Sequence, residues 1–80
     1  LNNLKEQRDT LRHSLGLKNE DDQDMYRNRY AAEPDDETCN ELCAKGMMHQ
    51  GAKIPGGLQY FHVTNFGQVM AMKTQEWWYA

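Results

Sequence analysis

A chain of 80 residues makes one domain, taken here as 1–80, and buries a modest fraction of its unfolded surface, so its stability is marginal. Apolar residues are 39% and charged residues 26%, close to a globular average, which argues against wholesale disorder. The net charge is −3 and is uneven: residues 1–30 are balanced, residues 31–46 carry one Lys against five acids, and residues 47–80 carry two Lys against one Glu, so the acidic middle opposes the basic face of a nucleic-acid binder.

The first segment has Leu1, Leu4, Leu11 and Leu15 on three-four spacing, with Arg8 in place of one apolar residue. This predicts a helix near 2–15, capped by Asn2 or Asn3 and ended by Gly16. Glu6, Arg8, Asp9 and Arg12 are expected on its outer face. The stripe suits packing within the domain, and it also suits pairing with another chain, which admits a homodimer. Residues 18–24 are a polar connection; four acids lie there, but the central Gly and terminal Glu of a calcium loop are missing. Tyr26-Arg27-Asn28-Arg29-Tyr30 follows. Tyr and Arg are common at binding hot spots, because each combines contact area with directed hydrogen bonds. The structural alternative half-buries both tyrosines and pairs the arginines with nearby acids.

Pro34 breaks the chain, and Asp35 or Asp36 can cap a second helix near 36–45. Cys39, Leu42 and Cys43 form its inner face, and Gly46 suits a left-handed cap. A short strand near 47–50 leads through Gly51–Gly57 into the aromatic and β-branched strand 58–63. Thr64 caps a third helix near 65–75 carrying Phe66, Val69, Met70 and Lys73. The expected core is Leu4, Leu11, Leu15, Leu42, Phe61, Val63, Phe66 and Val69. The tail Trp77-Trp78-Tyr79 either completes the core or forms an exposed apolar patch.

Little points to chemistry. Cys39 and Cys43 with His49 and His62 offer a zinc-type donor set, but the cysteine spacing fits known structural sites poorly, so no metal or other cofactor is expected. Two cysteines are too few for a secreted scaffold of this size and suggest free thiols in a reducing compartment. A Cys43–His62 pair lacks a third group to orient the base, and no nucleophile motif is present, so the chain is expected not to be an enzyme. No apolar run is long enough to span a bilayer, and no basic-then-apolar pattern opens the chain; we expect no membrane partner and a cytoplasmic location. The first residue is Leu1 rather than Met, from which residues upstream are expected.

Residues 36–72 carry a local resemblance. Leu42-Cys43-Ala44-Lys45-Gly46-Met47-Met48 and then Gly56-Gly57-Leu58-Gln59-Tyr60-Phe61-His62-Val63-Thr64-Asn65-Phe66-Gly67 resemble the wing half of winged-helix regulators of the PadR and MarR kinds. The resemblance implies an α+β, winged-helix-like domain, with helices packed on a two-stranded β-ribbon. It also implies a DNA-reading helix, yet the matching helix here carries Asp35, Asp36, Glu37 and Glu41, which repel phosphate. More loosely, Leu11–Leu17, Tyr26–Ala32 and Gly57–Thr64 look like short proteins of tailed bacteriophages and prophages. That implies a phage-encoded accessory protein in a bacterial cytoplasm. The leading expectation is therefore a non-enzymatic accessory protein that binds a host or phage protein. The alternatives are a small DNA-binding transcriptional regulator, with weak nucleic-acid binding, and a minor virion component. The expected partner-binding residues are Tyr26, Arg27, Arg29, Tyr30, Trp77, Trp78 and Tyr79.

Overall fold

A computed structural model describes residues 3–80. Helix α1 spans Leu4–Leu15. The readings on Leu1 and Asn2 lie outside the described residues. Asn3 stands at the cap position without a side-chain cap bond. Gly16 ends the helix with φ 82°, and the amides of Gly16 and Leu17 donate to the carbonyls of His13 and Arg12 at 3.1 and 2.8 Å. That closure pairs carbonyls the helix end would otherwise leave open. Leu11 and Leu15 are buried, and Leu4 packs partly against them.

The chain then runs without regular structure to strand β1, Tyr30–Ala32. Helix α2, Glu37–Ala44, is capped by the Asp36 carboxylate, which accepts from the Cys39 amide at 3.0 Å. Strands β2, Met48–Ile54, and β3, Leu58–Val63, are antiparallel and joined by the Gly56-Gly57 turn. The sheet has three strands in the order β1-β3-β2, so the expected two-stranded ribbon lacks one member. β1 pairs Tyr30 with Phe61 and Ala31 with Tyr60. Three residues ahead of a proline carry too little alternation to announce a strand.

The expected helix 65–75 is interrupted. Helix α3 covers Asn65–Ala71, and helix α4 covers Gln75–Tyr79, restarted by the Thr74 hydroxyl accepting from the Trp77 amide. The expected core assignment of Phe66 and Val69 is also corrected: they are 51% and 58% exposed. The reason is Gly67. A Cβ there would collide with the Met47 carbonyl and Val63, so α3 approaches the sheet through its smallest residue. Gly67, Met70 and Ala71 then face inward, at helical spacing, and the larger residues turn outward.

A second correction concerns α1. Arg8 and Arg12, expected outside, are buried. Arg8 grips the Glu20 carboxylate with both terminal nitrogens at 2.9 and 2.8 Å and donates to the Lys73 carbonyl at 3.1 Å. Arg12 donates to the carbonyls of Ala71 and Asn19 at 2.9 and 2.6 Å. Helix α3 has no basic residue in its last turn. Its exit carbonyls and negative dipole end are served instead by two guanidinium groups from α1. The indole of Trp78 adds a third donor, to the Met70 carbonyl at 2.8 Å.

Phe61 and Val63 join Leu11, Leu15, Leu42, Cys39, Met48, Ala71 and Trp78 in one core. Helices α1 and α3 pack on β3 and α2 packs on β2, at the core that Phe61 and Val63 enter, while α4 packs on α1. On the far face of β3, none of Leu58, Tyr60 and His62 is buried.

Candidate functional site

Two surfaces stand out, and they divide the expected binding residues between them. The first lies at the β1 edge. His13, Arg27, Arg29, Tyr30, Ala31 and Tyr60 line a shallow hollow of about 440 Å³. It forms because residues 26–30 cross from the end of α1 to the sheet, pinned at Asn28. The Asn28 side chain donates to the Val63 carbonyl at 2.9 Å and accepts from the Val63 amide at 2.6 Å. It thus stands in for a strand neighbour and satisfies the last pair of backbone groups on β3. The Arg29 amide donates to the Ser14 carbonyl at 3.1 Å, which fixes the stretch to α1.

Each flanking side chain then has a set place. Tyr26 is 64% exposed, with its ring over Gly16, where a Cβ would not fit, and the Arg27 guanidinium 5.5 Å from its centre. Arg27 donates to the His13 carbonyl from Nε at 3.2 Å and Nη2 at 2.7 Å, a cation at the negative end of α1. Arg29 is exposed and makes no side-chain hydrogen bond or ion pair among the described residues. Tyr30 is half-buried, meets the His13 ring edge-on at 5.7 Å, and has its phenol raised above the ordinary range by burial. The expected pairing of these arginines with nearby acids does not occur; carbonyl and solvent take its place.

The second surface belongs to α3 and α4. Phe66, Val69, Met72, Trp77 and Tyr79 are exposed, and the Lys73 ammonium lies 5.5 Å from the centre of the Trp77 ring. Trp78, expected with them, is 6% exposed and anchors the core. The tail therefore does both things at once: α4 turns one tryptophan inward and its neighbour outward. No hydrogen bond or ring contact joins the two surfaces among the described residues.

The cysteine and histidine sets do not converge. Cys39 lies in the core, its thiol pushed up to about 12, by burial first and then by the Asp36 carboxylate. Cys43 is half-buried, and burial raises its thiol too. His49 and His62 face each other on the opposite side of the sheet, ring centres 5.4 Å apart. The Cys43–His62 pair is therefore split by the sheet. Among the described residues no three His, Cys, Asp or Glu side chains are grouped to hold a metal ion. No helix among them is long and apolar enough to cross a membrane.

Sequence reasoning missed Phe66, Val69, His13 and Tyr60 as surface groups. For the first two a signal existed: Gly67 lies one residue past Phe66, and a small face at 67, 70 and 71 competes with the large one. For Tyr60 the alternation of β3 was sufficient, since Phe61 and Val63 were already assigned inward. No protein-family model, no curated protein and no solved structure matches the chain.

Proposed function

We propose that this chain is a non-enzymatic accessory protein that binds another protein through the outward face of α3 and α4. One observation carries the reading: five large apolar side chains are exposed along α3, its C-cap and α4, namely Phe66, Val69, Met72, Trp77 and Tyr79. A domain of this size has few large apolar residues, and exposing several of them along one stretch of chain favours an interaction surface. The face also carries Lys73, which makes no ion pair among the described residues and rests over Trp77. A fitting partner presents an apolar surface with a carboxylate opposite Lys73, so that the cation is neutralised as the rings are covered. The loose likeness to short phage and prophage proteins makes a host or phage protein the natural partner, met in the bacterial cytoplasm.

The winged-helix-like reading rests on the strand order β1-β3-β2, the Gly56-Gly57 wing and the Thr64 cap. These features favour the small DNA-binding regulator as a second reading. Against it, a single helix stands between β1 and β2, and its first turn is acidic. Affinity capture from a bacterial host, with and without nuclease, separates the two. A partner kept after nuclease, and lost on the double change Phe66→Ala and Trp77→Ala at unchanged melting temperature, supports the protein-binding reading. Loss of every partner on nuclease treatment, or a duplex operator bound at nanomolar affinity, replaces it with the regulator.

A further inference from the structure

We infer that the open face of the sheet, with the hollow at the β1 edge, is a binding site for single-stranded nucleic acid. The site is distinct from the α3–α4 face and does not depend on it. Three rings neighbour one another on the uncovered side, Tyr60 and His62 along β3 and His49 across from His62 on β2. Tyr60 and His62 have centres 6.2 Å apart, with planes tilted by 34°. His62 and His49 have centres 5.4 Å apart, tilted by 38°. Neither neighbouring pair meets edge-on, so adjacent ring faces are only partly turned from one another. Bases of a single strand have exposed faces that stack on such rings with little regard to sequence.

The central ring is held in place from both sides. His62 Nδ1 lies 2.7 Å from the Asn28 carbonyl. A carbonyl only accepts, so Nδ1 carries the hydrogen and Nε2 lies at the far end of the ring. That far end rests on Gly51 of β2, where a Cβ would collide with Nε2 and Cδ2 of His62. The ring therefore stretches across the sheet, from the β1 side over to β2. Glycine inside a strand otherwise weakens it, and a close approach of this kind is a reason for its presence. The register shift between Gln50 and Lys53 begins at the same place.

Charge completes the site. Tyr60 also lines the hollow that holds Arg27 and Arg29, and no carboxylate lines it. Asp9, which shares a neighbouring hollow with His13, is paired to Lys5 at 2.9 Å. Arg27 uses Nε and Nη2 on the His13 carbonyl and leaves Nη1 unused, while Arg29 has all its donors unused among the described residues. Backbone phosphates fit these donors, with bases laid along Tyr60, His62 and His49. The net charge of −3 sets a modest affinity overall, while Arg27 and Arg29 are the charged groups that line the hollow.

The test is fluorescence anisotropy with a labelled ten-nucleotide single strand at low salt, DNA and RNA in turn. Competition uses the unlabelled strand, a nucleoside monophosphate, the matching duplex and an acidic peptide of equal charge. Single-strand binding that weakens as salt rises is expected. Arg29→Ala and Tyr60→Ala should each weaken it roughly five-fold or more. Their melting temperatures should match the parent protein, and Phe66→Ala with Trp77→Ala should leave the affinity unchanged. Competition by the monophosphate as effective as by the strand, per nucleotide, would assign a free nucleotide instead. Equal competition by duplex or acidic peptide, no binding at low salt, or binding indifferent to Arg29 and Tyr60, overturns the inference.

Discussion

The four arginines divide into two pairs that differ in what their donors meet. Arg8 and Arg12 are buried, and their guanidinium groups are spent on the carbonyls of Asn19, Ala71 and Lys73 and on the Glu20 carboxylate. Arg27 is half-engaged at the end of α1, and Arg29 is exposed and has no side-chain partner among the described residues. Trp78 and Trp77 repeat the division, the first with its indole N–H on the Met70 carbonyl and the second open to solvent. The lesson is that residue type does not assign these side chains to core or surface. Arg8, Arg12 and Trp78 reach carbonyls at the exit of α3, which packs on α1, whereas Arg27 meets its carbonyl at the exposed end of α1.

The tryptophans provide the sharpest break. Trp78→Ala removes a buried ring and the donor to Met70, and should cost about 3–5 kcal/mol in chemical denaturation. Trp77→Ala should shift stability by less than about 0.5 kcal/mol, as surface changes usually do. Similar losses at both positions would mean that α4 is equally committed to the core on both sides.

Arg12→Ala should come next, at about 3 kcal/mol, because it leaves the Ala71 carbonyl buried without a donor. Arg29→Ala should stay within about 0.5 kcal/mol of the parent protein. A melting series on the two single variants measures the contrast directly.

Glu20 sharpens the buried pair through pH. Its hydrogen bonds to Arg8 and then to Gln75 hold its carboxyl down at about 2, against an ordinary value of 4.5. A carboxylate depressed in the folded state adds stability that is present above its unfolded value and lost as pH falls through the folded one. The loss should run from near pH 4.5 down to about 2. Glu20 is itself 57% exposed on its side chain, so solvent screening keeps the effect small. Melting of Glu20→Gln and the parent protein should differ at pH 6 and converge toward pH 2; a constant gap would show that the carboxylate charge is not what matters.

Much of this was legible in the sequence where local chemistry decides. Asp36 and Thr64 are caps, Gly16 ends α1, and Leu11, Leu15, Leu42, Phe61 and Val63 are core, each for a reason visible within a few residues. The rest depends on distant partners. Arg8 and Arg12 looked like surface charges because the Lys73 and Ala71 carbonyls that they serve lie 65 and 59 positions later. β1 was missed because three residues acquire strand geometry only when β3 offers an edge. Phe66 and Val69 were misassigned because apolar bulk was weighed above the contact that Gly67 permits. At the candidate sites, the stretch 26–30 was legible as a cluster of Tyr and Arg, whereas its joining to Tyr60 depends on the sheet register.

The arginine clasp also bears on how the molecule is made. Arg8 and Arg12 are synthesised 65 and 59 residues ahead of the Lys73 and Ala71 carbonyls to which they donate. Until those carbonyls are made, α1 carries two cations on the face meant for the interior, with the Glu20 carboxylate and the Asn19 carbonyl as the partners already made. Early collapse around α1 is thereby discouraged, and the N-terminal helix stays hydrated while it waits. Closure of this face therefore waits until α3 and the turn after it are available.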